Sequence, residues 1–169
     1  QKRGLPHAHI ALRAKQPPKT AEEVDQLISC EVPPASGRLR DLVLKHMIHT
    51  CHNGCHPDDP KQPCNKGFPF ATTEETSFDE RGYPRHRRRP CGGTCPNCAS
   101  GKALFGKRNI CCNRICVEYC AEILLLSDGH VNVKFAGNVN LFEYLYKYIF
   151  KGPDTTDYDI TLDEACTDE

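Results

Sequence analysis

The chain has 169 residues, enough for one domain with a core of its own, and its 22 basic and 22 acidic side chains cancel. The cancellation hides a split. After Pro153 there are seven acidic residues and no Lys or Arg, which leaves 15 acidic against 22 basic residues in 1–153. A basic body of that kind suits a polyanionic partner, and residues 154–169 read as an acidic, disordered tail or linker. No apolar run approaches the ~20 residues of a transmembrane helix, and no signal-peptide pattern opens the chain, so an intracellular protein is expected.

The first element is Gly4-Leu5-Pro6-His7-Ala8-His9-Ile10. A turn delivers the chain to a strand on which His7 and His9 project to one side while Ala8 and Ile10 pack to the other. Two imidazoles in that register form half of a divalent-metal site. Further on, Thr20-Ala-Glu-Glu23 reads as a capping box opening a short helix through Leu27 and Ile28. A second helix is expected from Arg38 to His49, with Leu39, Leu42, Val43 and Met47 sharing its core face. Cys30 reads as a buried small hydrophobe.

The twelve cysteines cluster at short spacings among histidines, a pattern that fits intracellular zinc better than disulfides. In the first cluster, Cys51 and Cys55 stand four apart and Cys64 follows nine later. With His49 they make a candidate tetrahedral zinc site, His52 and His56 being the alternatives to the histidine. The stretch is too polar and too rich in Pro and Asp to be held by a core, so a metal gives it a physical anchor. The second cluster, Cys91-x3-Cys95-x2-Cys98 followed by Cys111, Cys112 and Cys116, has zinc-ribbon spacing. Its expected ligands are Cys95, Cys98, Cys111 and Cys116, with the Gly/Lys-rich 99–109 as the ribbon's loop. Cys120 and Cys166 read as bystanders.

Between the clusters, Asp79-Glu-Arg-Gly-Tyr83 reads as a hairpin turn. In an extended Arg85-His-Arg-Arg-Arg89, Arg85, Arg87 and Arg89 share one face, and Arg87, Arg88 and Arg89 are candidate phosphate contacts. His130 to Phe135 alternates strictly, with Val131, Val133 and Phe135 inward. Leu141 to Lys151 reads as a helix stopped by Gly152-Pro153. On its wheel Tyr146 joins the apolar face, whereas Tyr144, Lys147, Tyr148 and Lys151 fall opposite.

A histidine pair on a strand and a tyrosine pair on a helix resemble the HUH endonucleases, and the wording is closest to the Rep domain of Helitron transposons. Gln1-Lys-Arg-Gly-Leu-Pro-His-Ala-His-Ile10 is similar to that family's metal motif. Lys45-His-Met-Ile-His49, Asp79 to Tyr83 with Arg87 to Arg89, His130 to Val133, and Tyr144 to Asp154 resemble its later blocks in order. The family's matching stretch after Met-Ile-His is likewise rich in Cys and His, whereas a cysteine insertion at 91–116 departs from its pattern.

The resemblance implies an α+β fold, an antiparallel-rich sheet with packed helices, spanning residues 1–153 with zinc-binding insertions at about 49–64 and 91–116. It also implies strands that precede Gln1. The implied activity is metal-dependent nicking and transfer of single-stranded DNA through a 5′-phosphotyrosine. His7 and His9, with Gln1 or His130 as third ligand, would hold Mg²⁺ or Mn²⁺. Tyr144 and Tyr148 are the implied nucleophiles, assisted by Lys151, with Lys147 toward DNA. A helicase region in the full-length family protein and a nuclear setting belong to the same implication. From a different class, the alternative is a non-catalytic, zinc-dependent nucleic-acid-binding module or a decayed transposon fragment.

Overall fold

The computed structural model describes residues 8–51, 55, 64–100, 103–104, 107–108 and 110–135. The chain divides into two units, Ala14–Asn138 and one comprising Gln1–Arg13 with Val139–Glu169. Of the latter only residues 8–13 are described. They have no regular secondary structure, and Ile10 and Leu12 are 76% and 78% exposed, so the strand expected around His7 and His9 is not formed in the described part. The tyrosine helix and the acidic tail lie outside the described residues.

The larger unit mixes short helices with two-residue antiparallel pairs. Helix α1, Ala21–Leu27, opens on the expected capping box: the Glu23 N–H donates to Thr20 Oγ1 at 3.3 Å, and Glu23 Oε2 accepts the Thr20 N–H at 3.3 Å. Helix α2, Arg38–His46, buries Leu42, Val43 and Met47 on the anticipated face and packs against α4, Ala121–Ser127. It stops three residues short of the expected His49. The reason lies in the next partner: Met47 O accepts the Val117 N–H (2.7 Å), and the His49 N–H donates to Ile115 O (2.8 Å). Beyond Met47 the backbone hydrogen bonds go to another segment instead of to the helix.

That segment, residues 115–119, is the centre of the unit. Tyr119 exchanges two backbone bonds with Ser29 (2.8 and 3.0 Å), Cys116 bridges Ile48, and the Glu118 carbonyl accepts from the Val133 N–H at 3.1 Å. Ile115, Cys116, Val117 and Tyr119 are all buried, and with Val32, Val43, Met47 and Leu124 they supply much of the core. Tyr119 completes its burial by donating its hydroxyl to Glu31 O at 2.7 Å. Residues 130–135, whose alternation is that of a sheet strand with one polar face, form no strand but keep the alternation: Val131, Val133 and Phe135 are half-buried, while His130, Asn132 and Lys134 are exposed.

The hairpin anticipated from Asp79-Glu-Arg-Gly-Tyr83 joins β1, Ser77–Phe78, to β2, Pro84–Arg85. Asp79 Oδ1 accepts the Arg81 and Tyr83 N–H groups at 2.9 and 2.8 Å, and Gly82 takes the left-handed φ of 76° that the turn needs. Past β2 the arginine run alternates, but not as a set of free cations. Arg85 and Arg89 are exposed and Arg87 half-buried, whereas His86 and Arg88 turn inward. Arg88 is 4% exposed, donates from Nη1 to Asn113 O and Cys116 O at 2.7 Å each, and lies 4.5 Å over the Phe70 ring. Arg89 pairs with Glu31 at 2.7 Å, and Arg87 approaches Asp25 and Glu31 at 3.5 and 3.7 Å. The phosphate role expected for Arg88 is therefore replaced by a structural one, because its guanidinium holds the central segment from inside. No helix among the described residues is long and apolar enough to cross a membrane.

Removing that guanidinium strands two buried carbonyls. Arg88→Met is expected to lower unfolding free energy by about 3 kcal/mol, and the exposed Arg85→Met by less than about 0.5 kcal/mol, both read by urea denaturation at saturating zinc.

Candidate metal centres

Two groups of donor atoms converge in the larger unit, His49 with Cys51, Cys55 and Cys64, and Cys91 with Cys95, Cys98 and Cys111; within each, all four atoms lie within 4.8 Å of one another. In the first, His49 Nε2 stands 3.5, 3.7 and 3.4 Å from the sulfurs of Cys51, Cys55 and Cys64. Zinc bonds of about 2.1 Å to nitrogen and 2.3 Å to sulfur give a tetrahedron with N–S edges of about 3.6 Å. The observed edges match it.

His49 reaches this position because α2 ends early and its backbone is tied to Ile115. Its ring stacks on Phe68, centroids 4.2 Å apart and planes 15° from parallel, and Phe68 meets Phe70 edge-on. Cys55 and Cys64 are buried, and the Asn65 N–H donates to Cys55 O at 3.0 Å, drawing the two ligand-bearing stretches together. Such outer contacts fix the orientation of a metal ligand before the metal arrives.

In the second centre the chain wraps tightly from Cys91 to Cys95. Gly92 and Gly93 both take positive φ, 62° and 86°, and the Cys95 N–H donates to Cys91 Sγ at 3.4 Å. Cys98 lies on α3, Pro96–Ser100, whose first turn is closed by the Ala99 N–H donating to Cys95 O at 3.0 Å. The chain then makes a hairpin of β3, Ala103–Leu104, and β4, Lys107–Arg108, and returns with Cys111. The Cys112 N–H donates to Cys95 Sγ at 3.2 Å.

The ligand set expected here changes in one member. Cys95, Cys98 and Cys111 come together, but with Cys91 in place of Cys116. Cys116 is fully buried in the core, its backbone paired with Ile48 and its thiol directed at Val117 O. The signal for Cys91 was in the sequence: a glycine pair between two cysteines lets both sulfurs turn toward one point.

The electrostatics point the same way. Burial opposes ionisation of Cys91, yet the Cys95 amide and the neighbouring thiols outweigh it and bring Cys91 down to about 6. Cys98 is driven up by burial and by the Cys95 and Cys91 sulfurs. In the first centre burial and the Cys64 thiol push Cys51 up to about 12, while hydrogen bonds to Cys64, led by the Lys66 amide, overcome burial and lower it. In each cluster the neighbouring sulfurs push one another's ionisation apart, the repulsion that a shared cation relieves. Zinc fits both donor sets, three sulfurs with one nitrogen and four sulfurs. None of the eleven described cysteines is paired in a disulfide. Cys30 lies in the core, and Cys120 Sγ donates to Glu122.

Of the expected catalytic set, His9 alone is described, and it is exposed. Gln1, His7, Tyr144, Lys147, Tyr148 and Lys151 lie outside the described residues, as do His52 and His56. His130, the other candidate third ligand, donates from Nδ1 to His46 O at 2.8 Å.

Elemental analysis after exhaustive dialysis is expected to give two zinc ions per chain. Cys91→Ala should reduce this to about one, and Cys116→Ala should leave two; the reverse ranking would return Cys116 to the ligand set. Metal-free protein with cysteines oxidised in pairs would exclude zinc at both centres.

The assignment rests on this geometry and chemistry, since no family model and no curated protein sequence matches the chain.

Proposed function

We propose that the chain is a metal-dependent single-strand DNA endonuclease and strand transferase, built around a zinc-held body. One observation carries the reading: His7-x-His9 and Tyr144-x3-Tyr148 bracket the chain in the motif order of the Helitron Rep domain. The zinc centre at 49–64 supports it, because that family bears Cys and His in the same stretch. The net positive balance of residues 1–153 supports a DNA partner.

In this reading His7 and His9, with Gln1, hold Mg²⁺ or Mn²⁺, and the ion supplies Lewis-acid polarisation of a non-bridging phosphate oxygen. A tyrosine hydroxyl ordinarily ionises near 10, at about the reference value, and the cationic Lys147 and Lys151 favour its phenolate. The phenolate oxygen of Tyr144 or Tyr148 attacks phosphorus in line. The Tyr O–P bond forms as the P–O3′ bond breaks, leaving a 5′-phosphotyrosine and a 3′-oxygen that takes up a proton. With two tyrosines, one retains the first cut strand while the other cuts the second, as transfer from donor to target requires. Single-stranded transposon ends and target are the substrates. A helicase region in the full-length protein and a nuclear setting complete the reading. The phosphate contacts fall to exposed cations such as Arg85 and to Arg89 and Arg87, whose carboxylate partners a phosphate can displace; Arg88 is committed inside.

One observation favours a non-catalytic zinc module instead: both metal centres are complete without any of the paired histidine and tyrosine residues. Incubation with a labelled single-stranded oligonucleotide and Mn²⁺, followed by a denaturing gel, separates the readings. A covalent adduct is expected, lost in the Tyr144→Phe/Tyr148→Phe double variant and spared by Tyr146→Phe. His7→Ala with His9→Ala should abolish the adduct while most salt-sensitive DNA binding persists. Binding without adduct in the unaltered protein leaves the module.

A further inference from the structure

We propose that the two zinc centres fill cooperatively, coupled through residues 111–115, so that metal in either centre raises the affinity of the other. The inference rests on the zinc reading of both clusters. At one end of this stretch Cys111 is a ligand of the sulfur-only centre, and the next amide donates to a second ligand of it, Cys95 Sγ, at 3.2 Å. At the other end Ile115 O accepts from the backbone of His49, a ligand of the first centre, at 2.8 Å.

Arg114 adds a second connection. Its carbonyl accepts the Phe70 N–H at 2.9 Å, and its Nε donates to Phe70 O at 2.6 Å. Phe70 in turn packs edge-on against Phe68, the ring stacked on the His49 imidazole. Between the two ends the chain is a single 3-10 turn, Cys112–Arg114, closed by Arg114 N–H to Cys111 O and Ile115 N–H to Cys112 O, both 3.0 Å.

A three-residue 3-10 turn has no stability of its own. Its position is fixed from outside, by Asn113 and by the two centres it joins. Asn113 Oδ1 accepts the Val32 N–H and its Nδ2 donates to Arg89 O, both at 2.8 Å, so the turn cannot yield sideways without breaking these bonds, the first of them buried. Metal at Cys91, Cys95, Cys98 and Cys111 therefore sets the turn, and the turn sets His49 and the aromatic pair behind it. A site whose ligand is already in place binds more tightly, and the effect is reciprocal by linkage.

Cobalt(II) reports the two centres separately, because its ligand-field absorption differs between three-sulfur and four-sulfur tetrahedra. Metal-free full-length chain is titrated with cobalt under reducing conditions, with circular dichroism recorded alongside. The two spectra are expected to rise together. Cys91→Ala with Cys98→Ala, which empties the second centre, should weaken cobalt at the first by about tenfold. Arg114→Met keeps all eight ligands and the Ile115–His49 bond but removes the Nε link to Phe70, and should give both spectra at full amplitude with their midpoints drawn apart, which unfolding alone would not produce. Two spectra that rise independently in the unaltered chain would overturn the coupling while leaving both metal sites. Neither spectrum appearing would overturn the sites and the coupling with them.

Discussion

Thiolates brought within a few ångströms of one another repel, and burying them makes the repulsion worse. The larger unit gathers two such groups, with Cys55 and Cys95 fully buried and Cys64 and Cys111 nearly so. Its longest described helix has nine residues and its strands two, so regular hydrogen bonding contributes little cooperativity. A divalent cation at each group would turn that mutual repulsion into shared attraction to one ion. Binding free energy at a structural zinc is folding free energy, because the donors are scattered in the unfolded chain. The aliphatic core then needs only to seal the space between the centres.

The arginine run shows how a charge pattern is spent on architecture. Glu31 receives the Arg89 amide, its Nε and its Nη2, which holds the carboxylate ionised against the burial that opposes it. Asp25 takes Arg87 and also accepts the Thr76 hydroxyl. Arg88, between them, is satisfied by carbonyls and a ring face. Three consecutive arginines thus meet two environments: Arg87 and Arg89 share the Glu31 carboxylate on one side, and Arg88 turns to carbonyls and a ring on the other.

Local chemistry was the legible part of the sequence. The capping box at Thr20, the apolar stripe of α2 and the Asp79–Tyr83 turn each depend on residues within one or two turns of chain, and they stand where their spacing puts them. The first metal group was also readable, because few cysteines compete within its stretch. Elsewhere the deciding contacts are distant. Nothing near Ile115 announces that it will receive His49, and nothing near Arg88 announces Asn113 and Cys116. The expected set took Cys116 and left out Cys91; the glycine pair after Cys91 pointed the other way, and the pairing of Cys116 with Ile48 takes that thiol into the core.

The hairpin of β3 and β4 is suspended between Cys98 and Cys111, two ligands of one centre. Both of its ends are therefore pinned by the same ion, whatever lies between them. Loop-closure cost grows only logarithmically, about 0.6 kcal/mol for each doubling of length. Insertions there are cheap, whereas one residue added between Cys91 and Cys95 would rotate a sulfur out of the tetrahedron. Among descendants of this sequence the tight spacings should persist while the long gap drifts, and a tag or a second domain grafted at that hairpin would leave both ions in place.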